Sequence, residues 1–337
     1  MASIKEIAAL AKVSQGTASL VLNGKGDQFR ISAPTQERIF AAARELDYRP
    51  NISAKRLRSS GETVAPIIAL FWTMDPRSQL IGRYLNGIQK AIHRLDREYE
   101  ILIQPYVGSQ LQAEKSLVTG TRFNGAIIAL PTEEDERYLE QADIKVPLVL
   151  YQRSSDKYCS VNVDNYLSGQ KVANLFAKRG HRKVGLLVPD ISSTAIRLRM
   201  SGFVDTCRER GLLLKEEYIQ YGSFSELGGY QTASAIFSRA DRPSALFCIS
   251  DQMAVGALYA LHEMNLSVPE QVEVVGHDDD AVSEFSIPPL STVHLPVEEM
   301  AHACVNMVVD LMSHKIAAPV SRLFESTLIT RKSCEGE

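Results

Sequence analysis

Tryptophan occurs once in this chain, and its five cysteines (Cys159, Cys207, Cys248, Cys304 and Cys334) are odd in number and scattered. Without a CxxC pair they frame neither a disulfide scaffold nor a zinc site, and they read as reduced thiols. No apolar run approaches the roughly 18 residues of a membrane span, and the stretch 1–10 lacks a signal-peptide layout, so the expected compartment is the cytoplasm. Fingerprints of nucleotide binding and hydrolysis are also missing: there is no GxGxxG, P-loop, GxSxG or HExxH. Seven histidines lie apart, none in a ligand-spaced pair. The run His277-Asp278-Asp279-Asp280 is rich in acid, but neighbours on one strand or turn cannot all converge on a single ion, so an acidic loop is the better reading. Catalysis is therefore not supported, and neither a cofactor nor a metal is expected.

What is present is unevenly distributed. Residues 1–60 hold ten Lys/Arg against five Asp/Glu, a net of +5; with the whole chain at −3, the other 277 residues carry −8. A cationic head on an acidic body suggests that only the head meets a polyanion. At helical period Ile4, Ile7, Ala8 and Ala11 share one face, while Val13, Thr17, Leu20 and Val21 make the inward surface of a second short helix beginning at Ser14. Ser3 with Glu6 has capping-box spacing, Ser14 is a good N-cap, and Ala8 is small where the two helices cross. That pattern is a helix-turn-helix. A third helix begins near Ser32, with Pro34 in its first turn and Ile39, Phe40, Ala43 and Leu46 as its apolar stripe. After Tyr48-Arg49-Pro50, Asn51 caps a segment, 52–58, that is shorter than the ~12 residues a helix needs to stand alone in water.

Three stretches, VSQGTASLVLN (13–23), ISAPTQERIFAAARELDYRPN (31–51) and ISAKRLRS (52–59), resemble the head and hinge of the LacI/GalR family of bacterial transcription regulators. The resemblance continues through SDQMAVGAL, VVGHDDD and IPPLSTVHLP, so it covers nearly the whole chain. It implies a dimeric repressor whose paired heads bind a near-palindromic operator in double-stranded DNA, under control of a small-molecule effector, most simply a carbohydrate. Residue by residue, Ser14, Thr17 and Asn23 match phosphate-contacting positions, and Gln15, Gly16 and Leu20 match positions facing base edges. Where the family usually has arginine this chain has Leu20, so its half-site should differ. Asn51, Ala54 and Leu57 match the hinge, in which Leu57 enters the minor groove. Lys12 stands where the turn usually has glycine, and the loop 24–30 is about three residues longer than the family's.

From residue 65 onward short apolar runs alternate with amphipathic helices, in two series. Continuous apolar strands between helices mean parallel sheets covered on both faces, and two series mean two lobes. The expected fold class is α/β: a helix-turn-helix head (1–50), a hinge and linker (51–61) and a body (62–337) of two doubly wound lobes, like the type I periplasmic sugar receptors that the family's body resembles. Lobe one is placed at about 62–162 plus 291–323, and lobe two at about 163–290 plus 324–337. Ligands of open parallel sheets bind beyond the carboxyl ends of strands, which places the pocket between the lobes. By the resemblance, Arg199, Phe224, Ser250 and Asp278 match effector contacts, with Ala129 and Tyr151 also facing the cleft and Trp72 at a strand end beside it. Guanidinium, carboxylate and aromatic groups in one cleft suit a sugar. Asp251 is read as a helix cap. A stripe on the helix 79–97 (Leu80, Tyr84, Ile88, Ile92 and Leu95) is assigned to either the core or a dimer face. The rival readings are a small-solute receptor of the same body fold and a regulator answering to a protein co-effector.

Overall fold

The computed structural model describes residues 4–22, 26–46, 48, 65–74, 80–120, 122–144 and 146–334. In the head, α1 (Ile4–Leu10), α2 (Gln15–Leu22) and α3 (Ala33–Glu45) enclose Ile7, Ala8, Ala11, Ala18, Val21, Ile39 and Ala42. Three expected core positions differ. The inward side of α2 is Ala18 and Val21, with Thr17 and Leu20 half-buried at its edge, and Phe40 is exposed on α3 while Ala42 is buried. The α1–α2 turn closes on Lys12 at φ 54°, with Val13 N–H donating to Ala8 O (2.9 Å) and Lys12 N–H to Ala9 O (3.2 Å).

The body has two six-stranded sheets. Its first strands and helices are β1 (Ile67–Thr73), α4 (Ile81–Ile92), β2 (Glu100–Tyr106), α5 (Lys115–Thr119), β3 (Gly125–Ala129), α6 (Glu133–Gln141), β4 (Leu148–Tyr151) and β5 (Cys159–Val163). The second series is α7 (Asn165–Lys178), β6 (Val184–Pro189), α8 (Thr194–Glu209), β7 (Ile219–Gly222), α9 (Glu226–Phe237), β8 (Ala245–Cys248), α10 (Asp251–Glu263), β9 (Glu273–Asp278), α11 (Ala281–Phe285) and β10 (Ser291–His294). The chain then runs through α12 (Val297–Met312), β11 (Ser321–Phe324) and β12 (Thr327–Ile329). Strand order is β11-β5-β4-β3-β1-β2 in lobe one and β12-β10-β9-β8-β6-β7 in lobe two. Among the described residues every strand pairing is parallel except β10–β12.

The central strands β1, β3, β4, β6, β8 and β9 are buried almost throughout, because helices cover both faces of each sheet. In lobe one α4 and α12 cover one face; Leu80, Tyr84 and Ile88 are core there, with Ile92 and Leu95 packed against them, so that stripe is not a free dimer face. In lobe two α7 and α8 cover one face and α9 and α10 the other. Helices α7 and α8 cross in backbone contact: a Cβ on Gly169 would lie 2.0 Å from Arg199 O, so only glycine allows this approach.

The chain passes between lobes three times, and two crossings fall later than expected. Strand Ser291–His294 pairs with β9 through Ser291↔Val275 to His294↔Asp278, so it belongs to lobe two rather than lobe one, and the change of lobe follows it. The expected single strand over 322–330 is two strands in different sheets, because Arg322 pairs with Val161 in lobe one whereas Leu328 pairs with Val293 in lobe two. Among the described residues no helix is long and apolar enough to cross a membrane.

Candidate functional site

The head presents the first turn of α2. Ser14 Oγ accepts from Thr17 N–H (3.0 Å) and lies 2.8 Å from Thr17 Oγ1, so the N-cap expected from sequence is formed. Ser14, Gln15 and Gly16 are exposed. At the long loop Gln36 Nε2 of α3 donates to Asp27 Oδ1 and to Ile31 O, both at 2.8 Å. Asn23, Asn51, Ala54 and Leu57 lie outside the described residues.

In the body the carboxyl ends of both sheets meet. Both sheets carry the same switch in strand order, with β1 flanked by β2 and β3 and β6 flanked by β7 and β8, and ligands of doubly wound sheets settle at such points. From lobe one come Trp72 and Tyr151, packed with Tyr84 from α4: ring centroids are 5.1 Å apart for Trp72–Tyr84, 4.6 Å for Tyr84–Tyr151 and 6.4 Å for Trp72–Tyr151. From lobe two come Arg199 and Asp278. Arg199 is buried, donating from Nη1 to Ile249 O (2.8 Å) and from Nη2 to Asn165 Oδ1 (2.9 Å), and burial lowers its pKa to about 10. Burial also pushes the Tyr151 phenol above its usual range, and Asp278 of the opposite lobe adds to the shift.

Asp278 ends β9 and Asp279 follows it, with φ of 114° and 54°, a conformation L-residues adopt at a cost. Arg83 of α4 holds this end from the other lobe: its Nη1 donates to Asp278 O (2.8 Å) and Asp279 O (3.3 Å), while Nε and Nη2 pair with Glu298. A second link is Arg153, buried just after β4, whose Nη2 donates to Ser193 Oγ (3.1 Å) at the start of α8 and whose Nε pairs with Glu136 at 2.5 Å.

Four buried polar atoms at these strand and helix ends make no hydrogen bond of ordinary geometry among the described residues. They are Trp72 Nε1 of lobe one, and Arg199 Nε, Gln252 Oε1 and His277 Nε2 of lobe two, whereas the Tyr151 hydroxyl is met by the neighbouring Gln152 side chain. Native proteins rarely leave so many buried groups unpaired, and a polar guest between the lobes is the economical account.

The other assignments fare differently. The Ser250 hydroxyl accepts from Met253 N–H (3.3 Å) and caps α10, and Phe224 is half-buried against the lobe-two core. Since Ser250 caps the helix, Asp251 does not; its carboxylate accepts from Thr292 Oγ1 (2.6 Å) and from Asp280 N–H (2.8 Å), tying α10 to β10 and to the turn after β9. Ala129 is buried at the end of β3. Sequence reasoning missed Arg83, Arg153, Gln152 and Gln252. Tyr84 carried a signal as a member of the α4 stripe, and His277 as a residue at a strand end beside the cleft.

Comparison with known proteins agrees with both halves of this picture. A family profile described as bacterial regulatory proteins, lacI family, matches residues 3–51, and a periplasmic binding protein-like domain matches residues 173–334. The chain is 28% identical over 324 residues to the ribose operon repressor of Escherichia coli (strain K12), covering 95% of this chain and 94% of that protein. It is 26% identical over 317 residues to the HTH-type transcriptional repressor PurR of Haemophilus influenzae (strain PittEE), covering 94% and 92%. Among solved structures, a LacI family transcription regulator from Clostridium acetobutylicum has 36% identity and a TM-score of 0.76, covering 79% of this chain and 99% of that one. The lac repressor dimer bound to operator and the anti-inducer ONPF has 25% identity and a TM-score of 0.71, covering 99% of each chain. With a three-helix head, two parallel-sheet lobes and near full-length relatives of one kind, the chain belongs to the LacI family of bacterial transcription regulators and is a DNA-binding repressor, not an enzyme, with a small-molecule effector site in its body.

Proposed function

We propose that this repressor acts in the cytoplasm as a homodimer on a near-palindromic operator, and that a sugar or sugar derivative held between the lobes governs its grip on DNA. The observation that carries the effector half is the set of unpaired buried polar atoms contributed by both lobes around an aromatic cluster. Hydroxyl groups of a sugar both donate and accept, and its C–H faces suit aromatic rings. Trp72, Tyr151, Arg199, Phe224, Ser250 and Asp278 are the proposed effector contacts or their supports. The ribose operon repressor among the relatives fits a carbohydrate reading.

On the DNA side, Ser14, Thr17 and Asn23 position the head on phosphates, while Gln15, Gly16 and Leu20 face base edges in the major groove. Asn51, Ala54 and Leu57 act in the hinge. Dimer formation is supported by large apolar side chains left exposed on lobe two (Leu227, Tyr259, Val282, Phe285 and Ile287) and by the dimeric lac repressor among the structural neighbours. A guest that contacts both lobes favours one angle between them and so shifts the relation of the two heads.

The sole tryptophan sits in the proposed cleft, so its emission reports ligand entry. Titrating sugars against emission and operator binding should identify a ligand that changes both. Asp278→Ala should abolish that response while leaving effector-free operator binding intact; a normal response in this variant would refute the cleft assignment.

A further inference from the structure

Two of the unpaired buried atoms belong to neighbouring side chains of lobe two and have complementary chemistry. His277, near the end of β9, is fully buried, and its Nδ1 lies 3.0 Å from Asp278 Oδ1. An ionised carboxylate only accepts, so Nδ1 carries the proton and Nε2 presents a lone pair. Burial first, and the charge of Arg199 second, lower the imidazole's pKa to about 4 and keep the ring neutral near pH 7. Arg199 Nη1 reaches Ile249 O (2.8 Å), and Ile249 directly follows β8, whose Phe247 pairs with Val275, so the guanidinium lies against the end of β9 that carries His277. Arg199 uses Nη1 and Nη2 on Ile249 O and Asn165 Oδ1, which leaves its Nε–H without a partner among the described residues, as is His277 Nε2.

A free N–H beside a free lone pair suits one group that accepts from the first and donates to the second, which is a hydroxyl. A phosphate or carboxylate could accept from Arg199 but would set its own lone pairs against His277 Nε2. It would also approach the carboxylates of Asp278 and Asp279 at the end of β9, of which Asp279 is already committed to His294 (2.9 Å) and Arg331 (2.8 Å).

We propose that His277 Nε2 and Arg199 Nε together hold one hydroxyl of a neutral polyhydroxylated effector, so that the cleft rejects the phosphorylated and acidic forms of the same sugar. The inference rests on the reading of the cleft as a sugar site. His277 is then a specificity determinant, where the sequence alone gave it a place at a strand end and no role.

The test uses the full-length protein with a panel of neutral pentoses and hexoses, their phosphate monoesters and their monodeoxy analogues, read by Trp72 emission and thermal shift. The wild type should bind a neutral sugar and bind its phosphate ester at least tenfold more weakly. His277→Leu should weaken binding of that sugar by roughly tenfold to a hundredfold, the cost of leaving a buried hydroxyl unpaired. The analogue lacking the held hydroxyl should be indifferent to the substitution, and His277→Gln, which restores an acceptor, should recover much of the loss. A folded His277→Leu variant with wild-type affinity would overturn the proposal, and so would an ester that binds as tightly as its parent sugar. The ester comparison needs no variant and decides the matter even where substitution prevents folding. Sugar binding lost in Asp278→Ala but kept in His277→Leu removes this inference alone, whereas a wild type that binds no member of the panel removes the sugar reading and this inference with it.

Discussion

Lys12 ends the first helix of the head in the left-handed region, at φ 54°, inside a turn closed by a Val13-to-Ala8 and a Lys12-to-Ala9 hydrogen bond. That pattern is a Schellman motif, whose left-handed position glycine occupies without strain. A lysine there costs about 1 to 2 kcal/mol, whereas glycine gives back about 0.5 to 1 kcal/mol through greater freedom in the unfolded chain. Lys12→Gly should therefore stabilise the head by about 0.5 kcal/mol, seen as slower hydrogen exchange of α1 and α2 amides; faster exchange would contradict the assignment. The strain at Lys12 was legible in the sequence, because the turn position was identified and its usual residue is known. Site residues divide the same way. Arg199 and Asp278 carry motif neighbours that mark them. Arg83 and Arg153 do not, because nothing local distinguishes an arginine that reaches a backbone carbonyl or a hydroxyl in the other lobe from one solvated on a surface.

At the scale of elements, β9 starts with a buried ionic staple. Glu273 pairs with Arg179 (2.6 Å) and His181 (3.0 Å) at the end of α7, and Cys334 Sγ donates to it at 2.9 Å. Burial disfavours the charge of Glu273, but hydrogen bonds from His181, Arg179 and Cys334 outweigh it and hold the carboxyl at about 2. A depressed carboxyl stabilises the fold above its unfolded pKa, and that contribution is lost as pH falls through the folded value. Glu273→Gln should lower stability by about 2 kcal/mol, since removing one partner of a buried pair strands the other. The difference from wild type in urea midpoint should shrink as pH falls from about 4 towards 2; a difference that grows over that interval would show that Glu273 is not charged in the native state. Strands with continuous apolar runs, such as β1, β6 and β9, were legible because burial on both faces requires such composition. Strands β10 and β11 were not. Ser291 and Thr292 of β10 are fully buried yet polar, their hydroxyls satisfied by Arg331 O and the Asp251 carboxylate, which are distant in sequence, and β11 (SRLF) is largely exposed.

For the whole molecule, the question is what sets the angle between the lobes before an effector arrives. Three chain crossings allow bending but do not choose an angle, whereas Arg83 and Arg153 each bond one specific arrangement. All three nitrogens of Arg83 are engaged by protein groups, Nε and Nη2 by Glu298, Nη1 by Asp278 O and Asp279 O, and Nη2 also by Leu295 O (2.9 Å), so it has no need of the effector. Its contacts instead fix the strained end of β9, where Asp278 must point correctly for the proposed ligand. Arg83→Met keeps much of the apolar stem and removes the donors, at about 2 kcal/mol for hydrogen bonds from a charged group. If the arrangement described here is the one that accepts the effector, its population falls, and apparent affinity falls by the same factor. Sugar titration of Arg83→Met should show affinity reduced roughly tenfold or more, with the operator response at saturation equal to that of wild type, because the ligand restores the arrangement the arginine had favoured. That separates Arg83→Met from Asp278→Ala, for which no concentration should restore the response. Unchanged affinity in Arg83→Met would mean that the lobe angle is set elsewhere, with Arg153 the next residue to replace.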